Sequence, residues 1–296
     1  MNEQAETFTD HLLAFTLPDR GARGRAVRLD RVLDEILSAH AYPAPITHLL
    51  AEALVVAALM GALLKGEGAQ MTMQAQTEEG PVKLLVCDYR GGEMRGYVDF
   101  DAGRLAELGA NPSLFALFGK GFLAITFETE KGKRYQGIVP LEGGSLAAAC
   151  ERYFVQSEQV PTLLRVAIRS GAAGCVAGGI LLQHLPDGEE GRERLHVTLD
   201  HPDWEHVETL AATISHDELL DEALSMEGIV WRLFHEEEEI RVRQGDRLEK
   251  GCRCSVEHYH DVIARFPADE QDAMRNQDGL IIVDCAFCSR EFVLEA

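Results

Sequence analysis

Cys252-Arg253-Cys254 is followed, after 30 intervening residues, by Cys285-Ala286-Phe287-Cys288. These two cysteine pairs are the strongest chemical signal in the sequence. The second pair lies between two strand-like runs, residues 280–283 and 291–294, so we predict that it occupies the turn of a hairpin. The first pair precedes a helix that Ser255 can cap. Folding this helix against the hairpin brings four sulfur atoms together, and a tetrahedral thiolate set is a typical zinc site.

The ligand set is predicted from this spacing. The helix after Ser255 carries an apolar face that we expect to pack on the hairpin, formed by Val256, Tyr259, Ile263 and Phe266. His258 and His260 on that helix are rival ligands, but four cysteines already complete a tetrahedral shell. We therefore expect one zinc ion (Zn²⁺) per chain, bound by Cys252, Cys254, Cys285 and Cys288. Four unligated, partly buried thiols are the alternative.

The segment that carries these cysteines is short. Its 45 residues bury too little apolar surface to fold reliably alone, whereas structural zinc contributes about 10–16 kcal/mol in small modules. Metal binding and folding of the tail should therefore be one event. An oxidant that converts the thiolates to disulfides would release the metal and unfold the tail, so the segment is built like a reversible redox switch.

The composition is that of an acidic globular protein of 296 residues, 46% hydrophobic and 26% charged, with a formal net charge of −21. This charge repels phosphate backbones and anionic membrane surfaces, so we expect neither nucleic acid nor a membrane as partner. Residues 1–10 lack the features of a secretory leader, and the apolar run 49–64 is shorter than the roughly 20 residues that cross a bilayer. We expect a cytoplasmic protein with reduced thiols and a buried core helix at 49–64.

Up to about Gln183, helices alternate with short strands separated by turn-rich segments. A helix is predicted at 29–39, where apolar residues recur at helical spacing before Tyr42-Pro43. Strands are predicted at 71–76, 82–87, 94–100, 122–128, 135–139, 163–168 and 176–182. Hairpin-connected strands with interspersed helices indicate an α+β domain with antiparallel sheet.

After a polar break at 186–194 the periodicity becomes helical. Asp203 is predicted to cap one helix, and Ser215 with Glu218 forms a capping box for the next.

This helical segment is also strongly acidic. Residues 201–250 hold 14 acidic and 5 basic side chains, including four successive glutamates at 236–239. Successive carboxylates repel one another and weaken a helix unless cations compensate. We predict a marginally stable helical linker at 185–250, and the alternative is a solvated charged face on a stably packed helix.

Signals for enzymatic chemistry are weak. The sequence contains no GxxxxGK[ST], GxGxxG or HExxH motif. Ser145 lies in a run, residues 143–147, that faintly resembles a nucleophile elbow, but Ala147 replaces the final glycine and a capping serine is the better interpretation. Cys87, Cys150 and Cys175 lie in apolar surroundings and are predicted to be small core residues. We therefore expect no enzyme.

The cysteine tail is also compatible in principle with two other classes of function. A nucleic-acid-binding zinc module is disfavoured, because residues 252–296 hold 4 basic and 9 acidic side chains and four thiolates add further negative charge. A thiol–disulfide oxidoreductase needs a CxxC of low pKa at a helix N-terminus, whereas Cys285 follows a strand and enters a hairpin.

Several longer stretches of the sequence resemble a known family. The tail is preceded by WRLFHEEE at 231–238, and further stretches are RYQGIV at 134–139, LEG at 141–143, ACERYF at 149–154, SEQVPT at 157–162 and AGGILLQ at 177–183. Together they resemble the redox-regulated 33 kDa chaperonins, the heat-shock protein 33 family, over nearly the whole chain.

The resemblance implies an ATP-independent holdase of the oxidative stress response, inactive when reduced and zinc-bound, that protects unfolding client proteins from aggregation once oxidised. It implies disulfides Cys252–Cys254 and Cys285–Cys288, and a homodimer of the oxidised form is a further expectation. The implied layout is an α+β core domain at residues 1–184, a helical linker at 185–250 that unfolds on activation, and a zinc-binding redox-switch domain at 251–296.

Overall fold

The computed structural model describes residues 9–66, 68–171, 174–185 and 201–294 and has the predicted α+β fold. Its strands are β1 (His11–Leu17), β2 (Ala22–Leu29), β3 (Gln70–Gln76), β4 (Val82–Arg90), β5 (Glu93–Phe100), β6 (Phe122–Glu128), β7 (Arg134–Pro140), β8 (Thr162–Gly171), β9 (Gly174–His184), β10 (Arg241–Arg247), β11 (Glu249–Lys250), β12 (Ile281–Asp284) and β13 (Glu291–Leu294). Its helices are α1 (Arg31–Leu37), α2 (Ala44–Gly61), α3 (Ala102–Ala106), α4 (Leu114–Phe118), α5 (Leu146–Tyr153), α6 (Pro202–Ala212), α7 (His216–Leu220), α8 (Met226–Phe234), α9 (Val256–Ile263) and α10 (Ala268–Ala273). The polar break predicted at 186–194 lies outside the described residues.

The strands of the described residues form two large sheets and one hairpin. Sheet A has the order β10-β1-β2-β9-β8, and sheet B has the order β11-β5-β4-β3-β6-β7. All pairings are antiparallel except the short parallel contact of β11 with β5. The hairpin β12-β13 stands apart as the third unit.

Helix α2 joins the two sheets. It packs against strands of both, and fourteen of its eighteen residues are buried. By length and composition it could cross a membrane, but 78% of the apolar window is covered by the rest of the protein. The apolar run predicted as a core helix is therefore one, although it begins earlier, at Ala44.

All seven strands predicted before residue 184 are present, but the pattern did not single out β1 and β2. Strand β2 carries arginines at 23, 25 and 28, which mask its alternation of buried and exposed positions. The structure satisfies two of these charges with backbone carbonyls. Arg25 donates to the carbonyl of Ala62 at 3.1 Å, and Arg28 is almost fully buried.

Helices α6, α7 and α8 form a layer on one face of sheet A. Their apolar side chains and those of β1, β2, β8 and β9 build a second core that includes Trp204, Val207, Leu219, Ile229 and Phe234. The helices predicted within the linker are therefore present, and they are docked on the sheet. We call α6, α7 and α8 the helical layer.

The helical layer begins differently from the prediction. The N-cap of α6 is His201, whose side chain accepts from the backbone N–H of Asp203, so the prediction that Asp203 caps this helix is wrong. Pro202 occupies the first helical position, where its missing N–H is tolerated, and Asp203 falls within the first turn. The capping box of Ser215 and Glu218 at the start of α7 is confirmed.

The last part of the predicted helical linker is not helical. Residues 241–247 form β10, which pairs with β1 at the edge of sheet A, and 249–250 form β11. Most residues of β10 are exposed, so its own hydrophobic pattern could not indicate a strand. Backbone pairing with β1 decides this conformation.

The run of glutamates at 236–239 is compensated by cations. Glu237 accepts hydrogen bonds from Arg20 at 2.7 Å and is 2.6 Å from His206, while Glu239 pairs with Arg241. Burial opposes ionisation of Glu237, but these bonds outweigh it and lower its pKa. Through Glu237, this run connects His206 of the helical layer to Arg20 of the core.

Arg28 links sheet A to the helical layer. Its guanidinium donates to the carbonyls of Leu219, Leu224 and Glu218, at 2.9, 2.8 and 3.3 Å. Removing it leaves three acceptors without a donor in a buried place, which is costly.

We predict that Arg28→Met lowers the free energy of unfolding by about 3 kcal/mol. The matched control is Arg31→Met on α1, which loses one exposed ion pair with Glu35 and should cost less than about 0.5 kcal/mol. Urea titration followed by circular dichroism measures both. An equal loss in the two variants would contradict this role of Arg28.

Candidate metal centre

The four tail cysteines meet in space. Cys252 and Cys254 lie in the loop between β11 and α9, and Cys285 and Cys288 lie at the turn of the β12-β13 hairpin. Their sulfur atoms all lie within 4.8 Å of one another. The distances between Sγ atoms are 3.2 Å for Cys252 and Cys254, 3.6 Å for Cys252 and Cys285, and 3.5 Å for Cys254 and Cys288.

These separations suit a tetrahedral metal site. Zinc–sulfur bonds of about 2.3 Å give sulfur–sulfur edges of about 3.8 Å in a regular tetrahedron. The thiols are free, and their separations are far longer than the roughly 2.05 Å of a disulfide. The donor set therefore fits a structural zinc ion with all four positions taken by sulfur.

Local backbone geometry places the sulfurs. Ser255 caps α9 by accepting from the backbone N–H of His258, as predicted. In the hairpin turn the N–H of Cys285 donates to the carbonyl of Arg290 at 2.9 Å, and Ser289 closes the turn with a positive φ of 55°. Both cysteine pairs are thus held at the ends of regular elements.

Helix α9 packs fewer of its apolar residues on the hairpin than predicted. Tyr259 packs on Phe292 with ring centroids 5.0 Å apart. Val256 and Phe266 are 41% and 39% exposed, and no residue of α9 is buried. The predicted apolar face therefore contributes little burial.

The electrostatics of the cluster favour one thiolate over the others. Burial opposes ionisation of Cys285, but hydrogen bonds from Tyr259 and from the backbone at Cys288 and Phe287 outweigh it and lower its pKa to about 6. Burial raises the pKa of Cys254 and of Cys288. Holding several thiolates so close together therefore requires a compensating cation.

The rival ligands stay outside the cluster. His258 and His260 are exposed on α9, and the metal-binding group found among the described residues consists of the four cysteines alone. The remaining cysteines are core residues, as predicted, since Cys87 and Cys150 are fully buried and Cys175 is 3% exposed. Ser145 caps α5, which agrees with its predicted structural role.

The tail is docked on the core by its backbone. The N–H of Gly251 donates to the carbonyl of Met94 at 2.9 Å, beside the parallel pairing of β11 with β5. Arg253, between the first two cysteines, donates to the side chain of Gln70 at 2.6 Å. These contacts connect the loop of the first cysteine pair directly to sheet B.

The second cysteine pair is docked by an aromatic side chain. Phe287, inside the CxxC, makes an edge contact with Tyr97 on β5 at 5.0 Å, and the guanidinium of Arg95 lies 4.1 Å from its ring centroid. Arg95 is held by Asp88 at 2.6 Å. The sequence interpretation missed this anchor, although an aromatic residue between two ligand cysteines is a signal that could have suggested a contact.

The comparisons with known proteins agree over almost the full length. A family model described as "Hsp33 protein" matches residues 10–295. The chain belongs to the Hsp33 family. Proteins named "33 kDa chaperonin" from Caulobacter vibrioides and Escherichia coli are 39% and 36% identical to it over 295 and 290 residues, covering 97% of this chain and 95% and 92% of theirs.

A solved structure supports the fold of this Hsp33 family member. The crystal structure of the 33 kDa chaperonin (heat shock protein 33 homologue) from Thermotoga maritima has a TM-score of 0.80 to this chain, at 23% identity, and the match covers 97% and 95% of the two chains. The predicted family is confirmed. The family name supports a chaperone function, and a chaperonin is not a class of enzyme.

We predict that Phe287→Ala loosens the docked tail. Losing the aromatic contact and the cation–π contact should make the Gly251 amide exchange with solvent about tenfold faster. Val293→Ala, at a 46% exposed position on β13, is the control and should leave exchange unchanged. Hydrogen exchange measured by mass spectrometry compares them, and slow exchange in both variants would show that Phe287 is not an anchor.

Proposed function

We propose that this Hsp33 family member is a redox-regulated, ATP-independent holdase. In its reduced form Cys252, Cys254, Cys285 and Cys288 bind one zinc ion and the protein is inactive. Oxidation forms the disulfides Cys252–Cys254 and Cys285–Cys288, zinc leaves, and the protein binds unfolding client proteins. The observation that carries this proposal is a cluster of four free thiols in a tail that has almost no core of its own.

The small core of the tail makes it dependent on the metal. Within residues 251–294 the buried side chains are Ile281, Cys285, Phe292 and Leu294. Fully burying an apolar side chain contributes about 1.5–3 kcal/mol, whereas a structural zinc ion contributes about 10–16 kcal/mol in small modules. Loss of the ion therefore removes most of the energy that keeps the tail folded.

Oxidation removes the ligands of the ion. Each disulfide forms when two thiols give up two electrons and two protons, which one peroxide molecule accepts as it becomes two molecules of water. Two peroxide molecules thus oxidise both pairs. The cysteines of each pair are separated by one or two intervening residues, so closing these bonds requires no movement of the core.

A continuous path leads from the tail to the helical layer. The loop of Cys252 follows β11 on sheet B, and β11 follows β10 on sheet A. Strand β10 is connected by residues 235–240 to α8. Loosening the tail therefore weakens the anchor at the end of the helical layer.

The helical layer supplies the apolar surface for clients. Its inner face holds Trp204, Leu219 and Leu220 against sheet A, and Leu224, in the connection between α7 and α8, packs partly buried beside them. Helices of this length are marginal in water without packing. Partial release would expose both this face and the sheet beneath it, and such exposed apolar patches bind unfolded chains.

The proposal extends to the domain layout, the location and the oligomeric state of the protein. We propose the division into a core domain at 1–184, a metastable linker at 185–250 and a redox-switch domain at 251–296, with the linker docked on the core in the reduced state. A cytoplasmic location would keep the zinc-binding thiols reduced in the resting state, and the oxidised form is proposed to be a homodimer.

We predict one zinc ion per chain in protein purified under reductant without chelator. Cys285→Ser should weaken zinc binding more than about a hundredfold, because it removes a direct ligand and even second-shell changes cost 10–100-fold. Cys175→Ser, in the core, is the control and should bind zinc normally. Elemental analysis and competition with a chromogenic chelator measure both, and metal-free protein would contradict the proposed site.

We predict that the reduced, zinc-loaded protein does not suppress aggregation of a chemically unfolded client, and that peroxide-treated protein does. Light scattering follows the aggregation, without ATP. Re-reduction in the presence of zinc should restore the inactive state. Equal suppression by both forms would remove redox control from the function while leaving a chaperone.

A further inference from the structure

A cluster of arginines lies outside the cysteine site. It lines a cleft of about 910 Å³ where sheets A and B meet the tail. Four segments each contribute one arginine: Arg25 on β2, Arg90 on β4, Arg243 on β10 and Arg253 in the tail. Among the described residues, the acidic side chains of the lining are Glu93 and Asp246, so the described lining holds four arginines and two carboxylates in a chain of net charge −21.

The guanidinium groups of this cluster keep N–H donors that bind no protein acceptor among the described residues. Arg25 donates to the carbonyls of Ala62 and Gly24, at 3.1 and 2.8 Å, through Nε and Nη1. Arg90 and Arg243 form no ion pair within the part of the chain that the structure describes. Each guanidinium carries five N–H donors, so the exposed side chains of Arg90 and Arg243 at the lining keep donors that an anion could use.

Two described carboxylates, Glu93 and Asp246, lie among the four arginines of this lining. The carboxylate of Asp246 accepts a hydrogen bond from the hydroxyl of Tyr89 at 2.7 Å. Burial, followed by repulsion from Arg23 and Arg243, lowers the pKa of Arg25 to about 10. The charge of Arg25, half-buried at the lining, is therefore held at a cost that a bound anion would relieve.

We propose that this cleft binds the diphosphate group of a small molecule. Arginine forks match phosphate oxygens in bidentate geometry, and guanidiniums from several walls suit an anion with several oxygens. Gly91 also lies at the lining, and a Cβ built there meets no atom within 4 Å, so the wall is open at this point. A compact anion can enter here although the surface as a whole repels nucleic acid.

The position of Arg253 couples this site to the tail. Arg253 lies between Cys252 and Cys254, whereas Arg25, Arg90 and Arg243 belong to the core. A ligand that contacts both parts binds better when the tail is docked. By linkage, the same ligand stabilises the docked tail.

Isothermal titration calorimetry of inorganic diphosphate into the reduced full-length protein tests the site at constant ionic strength. We expect saturable binding with one site per chain. Arg90→Gln and Arg243→Gln should each weaken it about tenfold. Arg134→Gln, on β7 at the opposite edge of sheet B, removes the same charge and should bind as the unchanged protein does, while circular dichroism verifies folding of every variant.

A parallel titration with a nucleoside diphosphate distinguishes the source of the group. Equal affinity supports recognition of the diphosphate alone, and tighter binding supports a nucleotide as the natural ligand. Absence of saturable binding for both ligands, or equal binding by the Arg90, Arg243 and Arg134 variants, would overturn the proposal. Unchanged affinity in Arg253→Gln would overturn the part assigned to the tail. None of these measurements depends on oxidation or on client binding.

Discussion

The C-terminal part of this protein is organised around four sulfur atoms that lie within 4.8 Å of one another. Helices α9 and α10 of this tail bury no residue. A conventional domain of this size is held together by apolar burial, and here that contribution is small. Close thiolates repel, so the arrangement is stable only with a compensating charge or with protons on most of the sulfurs. The tail therefore depends on the four-cysteine cluster more than on apolar packing.

The tail passes this dependence to the core through few contacts. The parallel pairing of β11 with β5, hydrogen bonds from Gly251 and Arg253 and the packing of Phe287 connect it to sheet B. Ser289 lies 3.0 Å from His40, which follows α1. Strand β10, largely exposed, then connects the tail to sheet A. Because these contacts are small, they can be lost without disturbing helix α2 and its core, which are buried between the sheets.

Charge is distributed unevenly through the fold. The chain is strongly acidic, yet several arginines are placed inside it with defined partners: Arg28 against carbonyls of the helical layer and Arg95 against Asp88. Arg20 holds Glu237 and Asp203 together at the entrance to that layer. Cations at buried or partly buried places therefore link separate elements, whereas the excess of carboxylates remains on the surface, where water solvates it.

The sequence by itself determined the fold class, the family, the hairpin of the second cysteine pair, the core cysteines and the caps at Ser145, Ser215 and Ser255. These features depend on local spacing and on hydrophobic periodicity, which short stretches contain in full. It also indicated which four cysteines should meet, because one close pair before a helix and another at a hairpin turn restrict the ligand set.

Only the tertiary structure decided the rest. Strand β10 exists because its backbone pairs with β1, and the helices of the predicted linker are docked because their apolar faces fit sheet A. The anchoring of Phe287 on Tyr97 and the meeting of four arginines in one cleft join residues far apart in the chain. Such contacts depend on how the elements assemble, and no local pattern of residues contains that information.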